Sequence, residues 1–360
     1  MERKTVAILF GGVSSEHEVS LQSAAAVIDA ISVTKYNVIQ IGITKEGSWY
    51  IFDGISQQIK DGSWARSPFL KRVVVSPDHH KPGLILLENE SITYIQIDCY
   101  FPVLHGKNGE DGTIQGLLDI ANIPYVGCGT LSSALCMDKV IAQQLVKSAG
   151  IGTTDFISFG RYEYQFEQVQ QWATEDVGYP IFVKPARSGS SYGISKVHDE
   201  VELKQAIEQA FTFDDKVLCE GMVLGMEVGC AVYGNDYPEV GLIGEIEPSR
   251  DFLDYEDKYH SGEMKQYVPA RQKEDVLRAV QQLGVQIYRI LGCKGLARVD
   301  FFIKENGEIV FNEINTMPGF TPSSRYPRMI EASGIPYSAL VDELIELSMQ
   351  GREVSRLESI

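Results

Sequence analysis

Ala297-Arg298-Val299-Asp300-Phe301-Phe302-Ile303 and Ile309-Val310-Phe311-Asn312-Glu313-Ile314-Asn315-Thr316-Met317-Pro318-Gly319-Phe320 read as neighbouring strands with charges set among apolar residues. Strand alternation puts Arg298 and Asp300 on one face of the first, and Glu313 and Asn315 on one face of the second. Two carboxylates and a carboxamide then converge beside an arginine. A solvated salt-bridge face is the plain alternative. Val299, Phe301, Phe302, Val310 and Phe311 instead imply a mostly buried hairpin, where charges need one another or a metal. Hard oxygen ligands of this kind suit Mg²⁺, which takes few protein ligands and keeps positions for phosphate oxygens. Asp300, Glu313 and Asn315 are therefore the candidate metal set.

Three stretches upstream carry further chemistry. Tyr179-Pro180-Ile181-Phe182-Val183-Lys184-Pro185 brings a lysine out of an apolar strand, where an unpaired ammonium is costly. The Gly- and Ser-rich run that follows, Ser188-Gly189-Ser190-Ser191, is able to wrap phosphates with backbone N–H groups and hydroxyls. It is no Walker loop, because the lysine precedes the glycines. Leu104-His105-Gly106-Lys107-Asn108-Gly109-Glu110-Asp111-Gly112 follows a buried strand, at the carboxyl edge where open parallel sheets bind ligands. Phe10-Gly11-Gly12-Val13-Ser14-Ser15-Glu16 links a strand to a helix start. It lacks the third glycine of a dinucleotide fingerprint and sets an acid where a pyrophosphate would sit. Glu16 at that place suits an ammonium-bearing substrate.

The 360 residues divide into three segments. Residues 1–135 alternate strands (5–10, 36–43, 96–104, 124–126) with helices (20–31, 113–121), the pattern of a parallel sheet covered by helices. Residues 47–90 read as an irregular or hairpin-rich insertion. Residues 136–226 form a small α+β module, with a helix from about 137 to 149, strands at 156–159, 179–183 and 216–220, and a helix over 201–210. Residues 227–360 carry strands at 227–233, 239–246, 296–303 and 308–312. Their long helix sets Val276, Val280, Leu283, Ile287 and Leu291 on one face.

Composition narrows the function. A net charge of −17 argues against a nucleic-acid surface, since phosphate backbones need clustered Lys and Arg. No apolar run reaches the ~18 residues of a membrane span, and the strand-like start leaves no signal peptide. The six cysteines are scattered without a C-x-x-C, which fits core thiols in a reducing cytoplasm rather than zinc ligands.

Taken in order, these stretches resemble the D-alanine–D-alanine ligases of the ATP-grasp superfamily over nearly the whole chain. The resemblance rests on G-G-x-S-x-E-x-E-V-S at 11–20, L-H-G-K-x-G-E-D-G at 104–112, M-D-K at 137–139 and K-P at 184–185. It continues through G-S-S-x-G at 189–193, D-Y-x-x-K-Y at 254–259, R-V-D at 298–300 and N-E-x-N-T-x-P-G-F-T at 312–321. It implies an α/β, three-domain ATP-grasp fold: an N-terminal parallel α/β domain, a small α+β lid domain and a C-terminal α+β domain, with ATP between two antiparallel sheets. Lys139, Lys184 and Lys258 would contact the phosphates under a lid carrying Ser190 and Ser191. Backbone at 218–223, Glu220 included, would meet adenine, and Glu227 the ribose. Asp300, Glu313 and Asn315 would hold two Mg²⁺ ions, or Mn²⁺. Glu16 would take the ammonium of the first D-alanine, with His105 nearby. A Glu16–Ser190–Tyr259 network would close the loop over residues 247–266, and Arg298 with the Gly319 N–H would stabilise the oxyanion.

The implied reaction forms a D-Ala–D-X dipeptide for peptidoglycan precursors through an acyl-phosphate, in the cytoplasm and as a homodimer. A carboxylate kinase or another ATP-grasp ligase with a different acid is one competing class, and a non-catalytic ATP-binding regulatory protein is the other. One departure bears on the second substrate. After Ser324 the family usually has a neutral residue, whereas here Arg325 follows, as in the vancomycin-resistance branch. Tyr259, absent from D-lactate ligases, is present, which leaves D-alanine or D-serine. Ser324 and Arg325 are the acceptor-side candidates, with Glu331 or Asp254 as alternative partners for the guanidinium.

Overall fold

The structure, a computed structural model, describes residues 3–88, 91–247 and 265–350. Lys4–Gly11 (β1) buries Val6, Ala7, Ile8, Leu9 and Phe10 completely, as a strand covered on both faces must. His17–Ala30 (α1) packs on it, starting at His17 rather than Ser20. Tyr36–Ile43 (β2) follows, then Trp49–Phe52 (β3), Ser56–Lys60 (α2), Lys71–Ser76 (β4), Gly83–Glu88 (β5), Ser91–Gln96 (β6), Cys99–Pro102 (β7) and Thr113–Ile120 (α3).

These strands run in the order β6-β5-β4-β3-β2-β1-β7. The expected parallel sheet is mixed. β1 pairs in parallel with β2 and β7, but β2 through β6 pair antiparallel. The β2–β3, β4–β5 and β5–β6 connections are too short for the crossovers that parallel neighbours need. The strand expected over 96–104 shortens to β7, and Gln96 is instead the last residue of β6, at the opposite end of this order and joined to β7 only by Ile97 and Asp98. Such a link spans at most ~10 Å, so the sheet curls until β6 ends beside β7. Residues 124–126 make a single bridge, Tyr100 to Tyr125, instead of a strand.

Thr130–Met137 (α4), not expected from the sequence, precedes Lys139–Ser148 (α5). Asp138 separates them by capping α5, its carboxylate accepting from the N–H groups of Val140 and Ile141 at 3.1 and 3.2 Å. Phe156–Gly160 (β8), Phe166–Gln171 (α6, also unexpected), Ile181–Pro185 (β9), Ser195–Val197 (β10), Glu200–Ala210 (α7) and Lys216–Gly221 (β11) follow. They build an antiparallel sheet in the order β10-β9-β11-β8. The strand expected at 179–183 is shifted to end on Pro185, so Lys184 lies within it.

The last sheet comprises Met226–Gly234 (β12), Glu239–Val240 (β13), Gly244–Glu247 (β14), Lys265–Tyr267 (β15), Gly295–Ile303 (β16) and Ile309–Asn315 (β17). Its order is β15-β14-β12-β16-β17, with β13 on β12. Glu274–Ile290 (α8), Arg325–Glu331 (α9) and Tyr337–Met349 (α10) cover it. The strand expected over 239–246 is broken because α9 presses on it. A Cβ at Gly241 would lie 2.9 Å from the Met329 carbonyl oxygen, and the Leu242 N–H donates to that carbonyl at 3.2 Å. Ala142 and Val146 of α5 bury into the core of this sheet, whereas Val140 packs with Ala186 and Leu218 of the preceding one. Among the described residues, no helix is long and apolar enough to cross a membrane.

Candidate active site

β16 and β17 pair antiparallel with Arg298 opposite Asn315 and Asp300 opposite Glu313. The faces read from strand alternation are thus combined into one cluster, and β17 runs three residues further than expected to include Glu313 and Asn315. Arg298 grips Asp300 through two nitrogens, Nε to Oδ1 at 2.8 Å and Nη2 to Oδ2 at 2.8 Å. Asn315 Nδ2 donates to Asp300 Oδ2 at 3.3 Å, and Lys139 Nζ lies 3.6 Å from Glu313 Oε2. Burial works against the Arg298 charge, but Asp300, then Glu313 and Glu227, outweigh it and hold the guanidinium above its ordinary value.

Among the described residues, no three His, Cys, Asp or Glu side chains come together as a metal cage. What is present is the Glu313 carboxylate and the Asn315 carboxamide lining a cleft, with the Asp300 carboxylate buried beside them against Arg298. That sparse set fits Mg²⁺ completed by phosphate oxygens better than an all-protein cation site.

Lys184 forms an ion pair with Glu220, which is buried. Glu220 in turn accepts from Gln143 Nε2 and, at 3.3 Å, from Thr154 Oγ1. Thr154 Oγ1 also donates to Gln143 Oε1 at 3.0 Å. Burial pulls the Lys184 pKa down, but Glu220, Glu313 and Glu227 leave it raised, so the ammonium stays charged. The adenine expectation for Glu220 concerns its backbone; its carboxylate belongs to this network. Gln143 and Thr154 were not read from the sequence. Gln143 lies one helical turn after Lys139, so α5 sets both on one face, Lys139 lining the cleft and Gln143 buried against Glu220. Lys139 Nζ donates to the Ser188 carbonyl at 2.8 Å.

On the opposite wall, Glu16 is buried at the start of α1 and accepts a hydrogen bond from Ser190 Oγ. Two glycines make room for its carboxylate: a Cβ at Gly106 or Gly189 would lie 2.2 or 2.7 Å from Glu16 Oε2. Ser190 and Ser191 have φ of 49° and 59°, a left-handed backbone that costs roughly 1–2 kcal/mol per residue outside glycine. Such strain concentrates at ligand clamps. Lys258, Tyr259 and Asp254 lie outside the described residues.

His105 is buried with both ring nitrogens engaged. Nδ1 faces the Met317 carbonyl at 2.9 Å and Nε2 faces Ser23 Oγ at 2.9 Å. A carbonyl only accepts, so Nδ1 carries the proton and Nε2 accepts from the serine. Burial lowers the His105 pKa against the pull of Glu16 and the Met317 carbonyl, keeping it neutral. Glu110, passed over in the sequence reading although it stands in the same motif, also borders the cleft.

Among the described residues Arg325 pairs with Glu227 rather than Glu331, Nη1 to Oε1 at 3.2 Å. Its Nη2 lies 3.5 Å from Asp300 Oδ1 and is buried without a hydrogen-bond partner among the described residues. Glu227, expected at the ribose, thus holds a guanidinium. Ser324 Oγ accepts from the Thr321 N–H at 3.1 Å, beside Gly319. Most of these side chains, Asp300, Gln143 and Ser23 excepted, line one cleft of about 640 Å³, large enough for a nucleotide with a small acid beside it.

The chain is matched over residues 5–128 by a family model described as D-ala D-ala ligase N-terminus, and over residues 145–346 by one described as D-ala D-ala ligase C-terminus. It is 47% identical, over 97% of its length and 96% of the relative's, to a D-alanine--D-alanine ligase of Caldicellulosiruptor bescii. Its fold is similar to the crystal structure of the VanG D-Ala:D-Ser ligase from Enterococcus faecalis, with a TM-score of 0.88 and 45% identity over 96% of this chain and 100% of that one. The D-alanine-D-alanine ligase from Coxiella burnetii superposes with a TM-score of 0.87 at 33% identity, covering 99% of this chain and 97% of that one.

Proposed function

This chain belongs to the D-alanine–D-alanine ligase family, and we propose from that premise how its own residues perform the family's reaction and which acceptor they take. It is an ATP-dependent ligase joining D-alanine to a D-amino acid. The observation that carries the residue assignment is the meeting of Glu16, Lys139, Lys184, Glu313 and Asn315 around one cleft, with Asp300 buried opposite Glu313 on the neighbouring strand.

Glu16 takes the ammonium of the first D-alanine and leaves its carboxylate toward the nucleotide. A carboxylate is a poor electrophile, so one of its oxygens attacks the γ-phosphorus of ATP, and ADP departs. Lys139 and Lys184 hold the phosphates in place for that transfer, which is mostly positioning and charge neutralisation. Asp300, Glu313 and Asn315 would hold Mg²⁺, which supplies charge neutralisation on the phosphate oxygens when bound. The amine of the second amino acid then attacks the acyl-phosphate carbonyl, and phosphate leaves. Arg298 and the Gly319 N–H face the developing oxyanion, where one such donor is worth about 3–4 kcal/mol in comparable sites. Ser190 and Ser191 close over the intermediate and keep water out.

The division into residues 1–135, 136–226 and 227–360 gives a substrate unit, a lid and a metal-bearing unit, in keeping with one sheet in each. A homodimer in the cytoplasm completes the reading; all six cysteines are buried thiols outside any disulfide, as suits a reducing compartment.

For the acceptor, the buried Arg325 Nη2 without a hydrogen-bond partner favours D-serine as a substrate beside D-alanine. A hydroxymethyl oxygen would accept from it, and sites built around such a bond discriminate strongly. The test is ADP release from Mg·ATP with and without D-alanine. D-alanine-dependent release with dipeptide supports the ligase; dipeptide-free release marks an acid kinase, and none marks a regulatory protein.

A further inference from the structure

The turn after β17, which carries Gly319, is held at both ends by side chains of the first sheet's loops. Met317 donates its N–H to Glu110 Oε1 at 2.9 Å, and its carbonyl accepts from His105 Nδ1 at 2.9 Å. Phe320 donates its N–H to Ser23 Oγ at 3.3 Å. Glu110 reaches the other way as well, its Oε2 accepting from the Gly106 N–H at 2.8 Å. Gly106 is the residue that makes room for the Glu16 carboxylate. One carboxylate therefore ties the backbone beside the first-substrate group to the backbone beside the oxyanion group.

We propose that Glu110 is a positioning residue for the ligation, using its two backbone hydrogen bonds to couple occupancy of the Glu16 pocket to the placement of the Gly319 turn. The inference rests on Glu16 being the ammonium site. Its basis is geometric: a carboxylate has an acceptor for each N–H, whereas an amide offers one acceptor and sets an NH₂ against the other.

The charges around Glu110 give the coupling its direction. Glu16 at the start of α1 repels it, His105 on its own loop is neutral, and Arg298 on β16 attracts it from further off. Burial first and Glu16 second push the Glu110 carboxyl up to about 8. An ammonium placed against Glu16 cancels that repulsion and favours the ionised form, which accepts both N–H groups fully. Binding of D-alanine is then accompanied by release of a proton from Glu110.

Glu110→Gln is compared with wild type in full-length enzyme by steady-state dipeptide synthesis, ATP affinity and calorimetry of D-alanine binding in two buffers of different ionisation enthalpy. The expected result is a kcat at least about tenfold lower, on the scale of a mis-set oxyanion donor, with ATP affinity within about twofold because the lysine network is untouched. Wild type should also release protons on binding D-alanine near pH 7.5, and the variant should not. If the variant is poorly folded, the wild-type calorimetry decides alone: no buffer-dependent heat overturns the proposal. Unchanged kcat and unchanged proton release in a folded variant overturn it too. A wild type that makes no dipeptide would instead remove the Glu16 reading beneath it.

Discussion

Asp300 and Glu313 stand directly opposite each other across β16 and β17, and each carboxylate has a cation against it, Arg298 on the first and Lys139 on the second. Two acids at this spacing repel unless counter-charges or a metal sit among them. The flanking cations serve in the free enzyme, and the assigned role adds Mg·ATP.

Replacing Glu313 or Asn315 with Ala should leave the fold intact, since neither side chain belongs to the apolar core. The expected loss in kcat is at least ~10²-fold, the scale on which misplaced reacting groups cost rate. Turnover at saturating Mg²⁺, with circular dichroism as the folding control, is the measurement; near-normal rates would remove the metal assignment.

Lys184→Ala should weaken both ATP binding and the protein. It strips the cation from buried Glu220 while Gln143 and Thr154 still hold that carboxylate. Breaking a buried pair from one side costs about 3 kcal/mol at the low end, read as a shift in urea midpoint. Unchanged ATP affinity with lowered stability would make this lysine structural only.

How far the sequence carried the site depended on period. A two-residue alternation fixes faces, so the grouping of Arg298 with Asp300 and of Glu313 with Asn315 was legible before any fold was known. The pairing of Arg325 with Glu227 was not, because it joins α9 to β12 across the chain. Glu110 was hidden for another reason: its partners are the backbone N–H groups of Gly106 and Met317, which carry no side-chain signature. The curl of the first sheet and the break at Gly241 likewise arise from contacts between distant segments, which local patterns do not encode.

His105 gives a pH dependence with a definite sign. Its folded pKa lies below the ordinary 6.5, chiefly through burial. Below that value the unfolded chain binds a proton that the folded one refuses, so stability falls as pH drops through the 6.5 region and on toward the folded value. His105→Gln keeps an N–H for the Met317 carbonyl but does not titrate. The gap between the two proteins' thermal midpoints should shrink on acidification. A gap constant from pH 8 to 5 would mean that His105 is not held neutral.

Arg325→Leu should shift acceptor choice toward D-alanine. The substitution removes the Nη2 donor, which has no hydrogen-bond partner among the described residues, and also frees Glu227. A competition between D-serine and D-alanine, reading the dipeptide ratio for both proteins, checks it. Wild type making only D-alanyl-D-alanine, with the ratio unaltered in the variant, would exclude Arg325 from acceptor choice.

The account stands most directly on the acyl-phosphate. D-alanine labelled with ¹⁸O in its carboxylate is incubated with Mg·ATP and the enzyme, and the released phosphate is examined by mass spectrometry alongside the dipeptide. Because the carboxylate oxygen attacks phosphorus and the C–O bond later breaks, the phosphate should carry ¹⁸O in step with dipeptide formed. Phosphate released without label, or released with no peptide-bonded product, would contradict it.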